Sequence, residues 1–310
     1  MLTCVIGGAG FIGRQLVVQL LASGRDVLVL GRRAERPNYL PANTIYEACD
    51  YTDRESLHRH IATCAEIIDL AYATVPQTSF VDPMFDLQSN LPGSIGLLQE
   101  AAAMRNLRKL LIVSSGGTVY GPVSRLPISE EARTAPVSPY GITKLAIENY
   151  GLMFHRLHGV PVTIVRPANA YGAGQKPFTG QGFIATAIGH ILKREAVTIF
   201  GRNGTIRDYL HVSDVASGIL CALDGGSPGE IYNIGSGVGR NNREVLSVIE
   251  SYANSADYDV NIRVAPERHF DVPANVLNFD RLLAATGWQP KVAFVDGVQE
   301  VWRDISNIGS

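Results

Sequence analysis

Tyr140 and Lys144 stand four residues apart behind Ser138-Pro139, a serine and a proline that suit the N-cap and first turn of a helix. That spacing puts both side chains on one helix face. A phenol with its ordinary pKa near ~10 is a poor base at neutral pH, but an ammonium one turn away and an oxidised cofactor ring would stabilise its phenolate. Such a pair can take a proton from an alcohol. A second group, Gly7-Gly8-Ala9-Gly10-Phe11-Ile12-Gly13, has GxxGxxG spacing where a phosphate could approach a helix N-terminus. Its glycines allow the turn and the close contact, and the helix dipole favours the anion. Gly7, Gly10, Phe11, Ile12 and Gly13 are therefore candidate dinucleotide contacts.

Asp50, followed by Tyr51, falls where a carboxylate would reach an adenine amine, and Leu70 and Ala71 are further candidate cofactor contacts at a later strand end. The second strand ends in Gly31-Arg32-Arg33, where an acid would otherwise hold the two ribose hydroxyls of NAD. Arg32 and Arg33 suit a 2′-phosphate through bidentate, charge-assisted contacts, so the residues favour NADP over NAD.

The elements that must position these groups follow from apolar patterning. Residues 2–6 and 27–30 read as buried strands around a helix over 11–23 closed by Gly24. The alternation continues through strands at 67–71, 109–114 and 162–166, a helix from about 90 to 104, and the helix after Ser138-Pro139. Short apolar strands separated by helices predict a parallel sheet covered on both faces, a doubly wound α/β fold of Rossmann type. Beyond Arg166 the pattern weakens into a Gly/Pro-rich stretch, short strands near 197–200 and 231–234, and helices near 213–223 and 242–253. We expect a dinucleotide-binding domain over 1–168, with about 212–238 returning to it, and a smaller substrate lobe over 169–310, with a cleft between them.

Of the 310 residues 46% are hydrophobic, and 27 Lys and Arg against 29 Asp and Glu leave a formal charge of −2 with no basic block. Nothing in this balance suits nucleic acid or an anionic membrane, and a small-molecule partner is the default. Cys4, Cys49, Cys64 and Cys221 lie far apart without metal-ligand spacing, which predicts no metal site and a reducing, cytoplasmic setting. No basic leader precedes the first apolar run, and no stretch has the ~18 apolar residues of a membrane span.

Taken in order, Gly7 to Gly13, Asp50, Asn90, Ser114-Ser115-Gly116-Gly117-Thr118-Val119-Tyr120-Gly121, Tyr140 with Lys144, Arg166-Pro167-Ala168-Asn169, Arg207-Asp208-Tyr209-Leu210-His211-Val212 and Thr286-Gly287-Trp288 span nearly the whole chain. In these motifs the chain resembles the extended short-chain dehydrogenase/reductases, in their NAD-dependent epimerase/dehydratase branch, and especially UDP-glucose 4-epimerase-like enzymes. The resemblance implies a nucleotide-sugar substrate, UDP-linked, and a homodimer formed through helices near 90–104 and 140–158. It also implies that Asn169 contacts sugar and diphosphate, that Phe200 walls the base pocket, and that Arg207 and Arg268 clamp the pyrophosphate.

The reaction implied is 4-epimerisation through a 4-keto intermediate, with Tyr140 as proton acceptor. An NADPH-dependent 4-ketosugar reductase is the alternative, to which Arg32 and Arg33 lend weight; a non-catalytic sensor is a third reading, opposed by the intact Tyr140 and Lys144. Dehydratases usually carry Asp-Glu where this chain has Gly117 and Thr118. One departure matters further. The family's catalytic Ser/Thr aligns with Gly116, so another hydroxyl must orient the sugar oxygen, and we place Ser115 first and Thr118 second.

Overall fold

Four- to six-residue apolar runs buried on both faces form the centre of this computed structural model, which describes residues 1–268 and 271–308; the last two positions of the expected second lobe lie outside the described residues. Strands β1 (Leu2–Ile6), β2 (Asp26–Gly31), β3 (Ile45–Ala48), β4 (Glu66–Asp69), β5 (Lys109–Val113) and β6 (Val162–Pro167) join the later strand Ile231–Ile234 in one sheet. The spatial order is Ile231–Ile234, β6, β5, β4, β1, β2, β3, and every neighbouring pair is parallel. Helices α1 (Phe11–Ala22), α2 (Arg54–Ile61), α3 (Pro76–Val81), α4 (Pro83–Ala103) and α5 (Pro139–His158) carry the crossovers, and the later helix Val212–Gly225 packs against α1. This is the Rossmann-type doubly wound sheet that the patterning predicts.

The chain leaves β1 in one direction to β2 and β3, then resumes on the other side at β4. Ligand crevices in such sheets open at the carboxyl ends of the strands flanking that reversal. Ile6 pairs with Leu30 on one side and Asp69 on the other, so Gly7 and Leu70 emerge together at that point.

The second lobe is built on Ile206–His211, which pairs with Asn169–Tyr171, Gly239–Arg240 and Ala274–Asn275. Tyr171, Ile188, Ile249, Val298 and Trp302 share its separate apolar core, supplied by helices Phe183–Leu192, Asn242–Asn254 and Phe294–Ile308. Two of the boundary shifts bear on the site. The strand placed at 67–71 stops at Asp69, freeing the next residues to line the crevice, and the helix placed from 90 begins at Pro83, capped by the Asp82 side chain on Phe85 N at 2.8 Å. Pro92 sits inside that helix, where its missing N–H made an earlier start hard to read.

Candidate active site

The turn after β1 is held by its own backbone: Gly7 N donates to Leu30 O at 2.9 Å and Gly10 N to Gly7 O at 2.9 Å. Gly7 has φ +79°, and a Cβ there would stand 3.0 Å from Ala71 N. At Gly13 a Cβ would lie 2.6 Å from Gly8 Cα, so the first turn of α1 can seat on the loop only without a side chain. Among the described residues no side chain caps the N-terminus of α1, which leaves its first N–H groups directed at the crevice mouth. These residues fit the diphosphate of a nicotinamide dinucleotide.

α5 starts as its sequence requires, with Ser138 Oγ accepting from Gly141 N at 3.1 Å. Its buried face includes Thr143, Lys144, Ile147, Glu148 and Gly151, so the helix turns two ionisable side chains toward the sheet. Lys144 Nζ donates to Val113 O at 2.8 Å. Burial pulls the ammonium down to about 8, partly offset by the charges of Asp69, Glu148 and Asp86. Asp69, buried at the end of β4, is pushed up by burial to about 6. Desolvation likewise raises the Tyr140 hydroxyl above the usual phenol range, and a hydrogen bond with Ser115 draws it back.

The segment after β5 sorts its hydroxyls by direction. Ser114 Oγ hydrogen-bonds Glu148 Oε1, and Glu148 in turn receives Arg166 through Nε at 3.0 Å and Nη2 at 2.6 Å. Ser115 faces Tyr140, whereas a side chain at Gly116 would run into the Leu277 side chain and stand 2.9 Å from Arg166 O. The hydroxyl that looks missing at Gly116 therefore has no room there, and the turn presents one from the preceding residue. Asn275 Nδ2 holds Gly116 O at 2.9 Å from the second lobe. Thr118 Oγ1 is buried with no hydrogen-bond partner among the described residues, and Thr118 borders the same cavity.

That cavity, about 950 Å³, runs between the lobes. Gly7, Gly10, Phe11, Ile12, Gly13 and Leu70 line one end; Ser115, Thr118, Tyr140, Lys144 and Asn169 lie along it, and Phe200, Arg207 and Arg268 belong to the second lobe's wall. Burial lowers the Arg207 guanidinium, and the nearby positive charge of Arg268 lowers it further. Arg268 lies 4.1 Å from the Phe200 ring centroid and is held by Asp271 at 2.8 Å. Two cations kept on one wall suit an anionic ligand between them.

Arg32, Arg33, Asp50, Tyr51 and Ala71 are not on the cavity wall. Arg32 and Arg33 are exposed beyond β2; Tyr46 Oη fixes Arg33 O at 2.8 Å and crosses Gly31, where a Cβ would stand 2.7 Å from that oxygen. Asp50 accepts from Thr52 N at 3.0 Å and Thr52 Oγ1 at 2.7 Å, which lowers its carboxyl, as does the charge of Arg32 to a lesser degree. Tyr51 Oη donates to Asn90 O at 3.3 Å. The structure adds residues that spacing did not disclose: Ser79, whose Oγ receives Tyr140 N at 3.1 Å, and Tyr72, whose ring centroid lies 4.7 Å from that of Tyr140. Both come from the segment after β4, far from α5 in sequence and without a periodic signal.

The profile of the NAD dependent epimerase/dehydratase family matches residues 3–235. The chain is 33% identical over 305 residues to the UDP-glucose 4-epimerase of Mycolicibacterium smegmatis, with 96% of each chain covered. The solved UDP-glucose 4-epimerase of Thermotoga maritima with UDP-glucose superposes with a TM-score of 0.92 at 30% identity over 100% of both chains. That of Thermus thermophilus, in complex with NAD, gives 0.89 at 32% identity over 99% of each.

Proposed function

The chain belongs to the NAD-dependent epimerase/dehydratase family, and on that premise we propose that it is a cytoplasmic nucleotide-sugar 4-epimerase acting on a UDP-hexose. The observation that carries this is the Ser115, Tyr140 and Lys144 cluster on the same cavity as the glycine loop. Residues 1–168 with 212–238 hold the cofactor, and 169–310 grip the nucleotide sugar. Gly7, Gly10, Phe11, Ile12, Gly13, Leu70 and Ala71 cradle the dinucleotide, with Asp50 and Tyr51 at the adenine end. When bound, the nicotinamide supplies hydride acceptance at the sugar C4 and its return to the opposite face.

Tyr140 takes the proton of the 4-hydroxyl and later gives it back. Lys144, charged below about pH 8, stabilises the phenolate that burial alone would disfavour, and Ser115 shares the hydrogen bond. Thr118 offers its hydroxyl to the sugar. Asn169 holds sugar and diphosphate, Arg207 and Arg268 clamp the diphosphate, and Phe200 walls the base. Arg32 and Arg33, with no acid at Gly31, favour NADP over NAD, and that pair is what supports the second reading, an NADPH-dependent 4-ketosugar reductase. A homodimer through α5 and the start of α4 is supported by the exposed apolar side chains Met84, Phe85, Ile142, Met153 and Leu157; on α4 they fall before the 90–104 stretch.

The test is interconversion of UDP-glucose and UDP-galactose without net change in reduced cofactor. Tyr140→Phe should lower turnover at least ~10²-fold while dinucleotide binding persists. Near-normal turnover in that variant would overturn the assignment, and stoichiometric NADPH oxidation by a 4-ketosugar would install the reductase instead.

A further inference from the structure

Tyr72 fills the space between the two residues assigned to proton transfer. The Lys144 ammonium lies 4.2 Å from the centroid of the Tyr72 ring, against 6.0 Å from that of Tyr140. The two tyrosine rings meet edge to face, with centroids 4.7 Å apart and an interplanar angle of 63°. Tyr72 is itself clamped: its Oη lies 3.4 Å from Asp86 Oδ2 and 3.4 Å from Tyr140 O, and Asp86 is fully buried and also bonded by Thr74. One ring thus touches the base, its cation and the helix that carries both.

Resting on the reading of Tyr140 and Lys144 as the proton-handling pair, we propose that Tyr72 is a positioning residue of the reaction: its ring face keeps Lys144 charged and in place, and its edge fixes the Tyr140 ring. A buried ammonium with one hydrogen bond to Val113 O needs further stabilisation of its charge. The groups facing Lys144 are Asp69 from the end of β4, Asp86 from α4, Glu148 from α5, and the two tyrosines. Glu148 is already committed to Arg166 and Ser114, and Asp69 spends one oxygen on Ala71 N at 3.1 Å. The aromatic face is the neighbour that favours the cation without having to be ionised itself, and its hold is strongest where water is excluded.

The sign follows. Without the ring face the ammonium loses its proton at lower pH, and the phenolate it supports is lost with it. With UDP-galactose as probe substrate, Tyr72→Leu should lower kcat about tenfold near neutral pH, change KM far less, and move the alkaline limb of the kcat profile down by about one pH unit. Tyr72→Phe keeps the ring but not the Asp86 contact, and should restore most of that turnover and the limb. Acylation of Lys144 by acetic anhydride, followed by mass spectrometry across pH, reads the same shift without substrate. A Tyr72→Leu profile that coincides with the wild type, or a Tyr72→Phe shift as large as the leucine one, would overturn the proposal. Should the leucine variant not fold, phenylalanines fluorinated once, twice and three times at position 72 keep the shape and drain the face; a limb that does not move stepwise overturns it equally. Undiminished turnover in Tyr140→Phe would instead break the underlying reading, while the acylation titration still decides whether Tyr72 holds Lys144.

Discussion

Ser115 turns its hydroxyl to Tyr140, whereas a Cβ added at Gly116 would meet Leu277 and stand 2.9 Å from Arg166 O. Gly116→Ser drives its side chain against Leu277 and Arg166 O, so it should lower thermal stability by about 1–3 kcal/mol and leave turnover no higher. Ser115→Ala keeps the turn and removes the Tyr140 partner, and should cut kcat tenfold or more with little change in melting temperature. A gain of turnover in Gly116→Ser, or a silent Ser115→Ala, would reverse the roles. Thr118→Val should separate from both: it relieves an unpaired buried hydroxyl, which costs about 1–3 kcal/mol, while lowering kcat/KM. The pair Tyr140 and Lys144 was legible because its spacing is local to one helix. Tyr72 was not, because nothing in the order Leu70-Ala71-Tyr72-Ala73 says which way a loop residue turns once β4 ends at Asp69.

Among elements, those that are buried on two faces announce themselves and those that are not stay silent. β1, β5 and β6 are mostly apolar and buried along nearly their whole length, so they read directly as strands. β3 is an edge strand of mostly exposed side chains, and α2 shows only Leu57 and Ile61 buried beneath an Asp53 cap, so neither carries a strong period. Asn169–Tyr171, Gly239–Arg240 and Ala274–Asn275 have three, two and two residues, too few for any alternation; pairing with Ile206–His211 defines them. The β2 end is an element whose consequence can be measured. Tyr46 lying across Gly31 leaves no space for an acid, and the exposed Arg32 and Arg33 follow. NADP(H) should therefore bind about tenfold more tightly than NAD(H) at low salt, less so as salt rises, and Arg33→Ala should erode the ratio. Calorimetric titration of both cofactors checks this; equal affinities would remove the phosphate reading and with it the case for a reductase.

For the whole molecule, the exposed apolar residues of α5 give the clearest expectation. Met153 and Leu157 are four apart on one face, and Leu157 is 66% exposed. If that face pairs two copies, Met153→Glu with Leu157→Glu should convert a dimer to a monomer in sedimentation velocity while the isolated chain keeps its helical content; an unchanged mass, or a wild type that is already monomeric, rejects the dimer. Another whole-chain property comes from the strand Ile231–Ile234, which closes the sheet beside β6 although the second lobe's strands Asn169–Tyr171, Val197–Phe200 and Ile206–His211 and its helix Phe183–Leu192 intervene in sequence. On the ribosome, β6 emerges long before its outer neighbour exists. At ~5–20 residues per second the nascent chain carries an open, apolar sheet edge for roughly 3–13 s until residues 231–234 arrive. The length of this exposure is thus written into the order of segments along the chain, and a ribosomal pause placed between those two segments should lengthen it and lower the soluble yield.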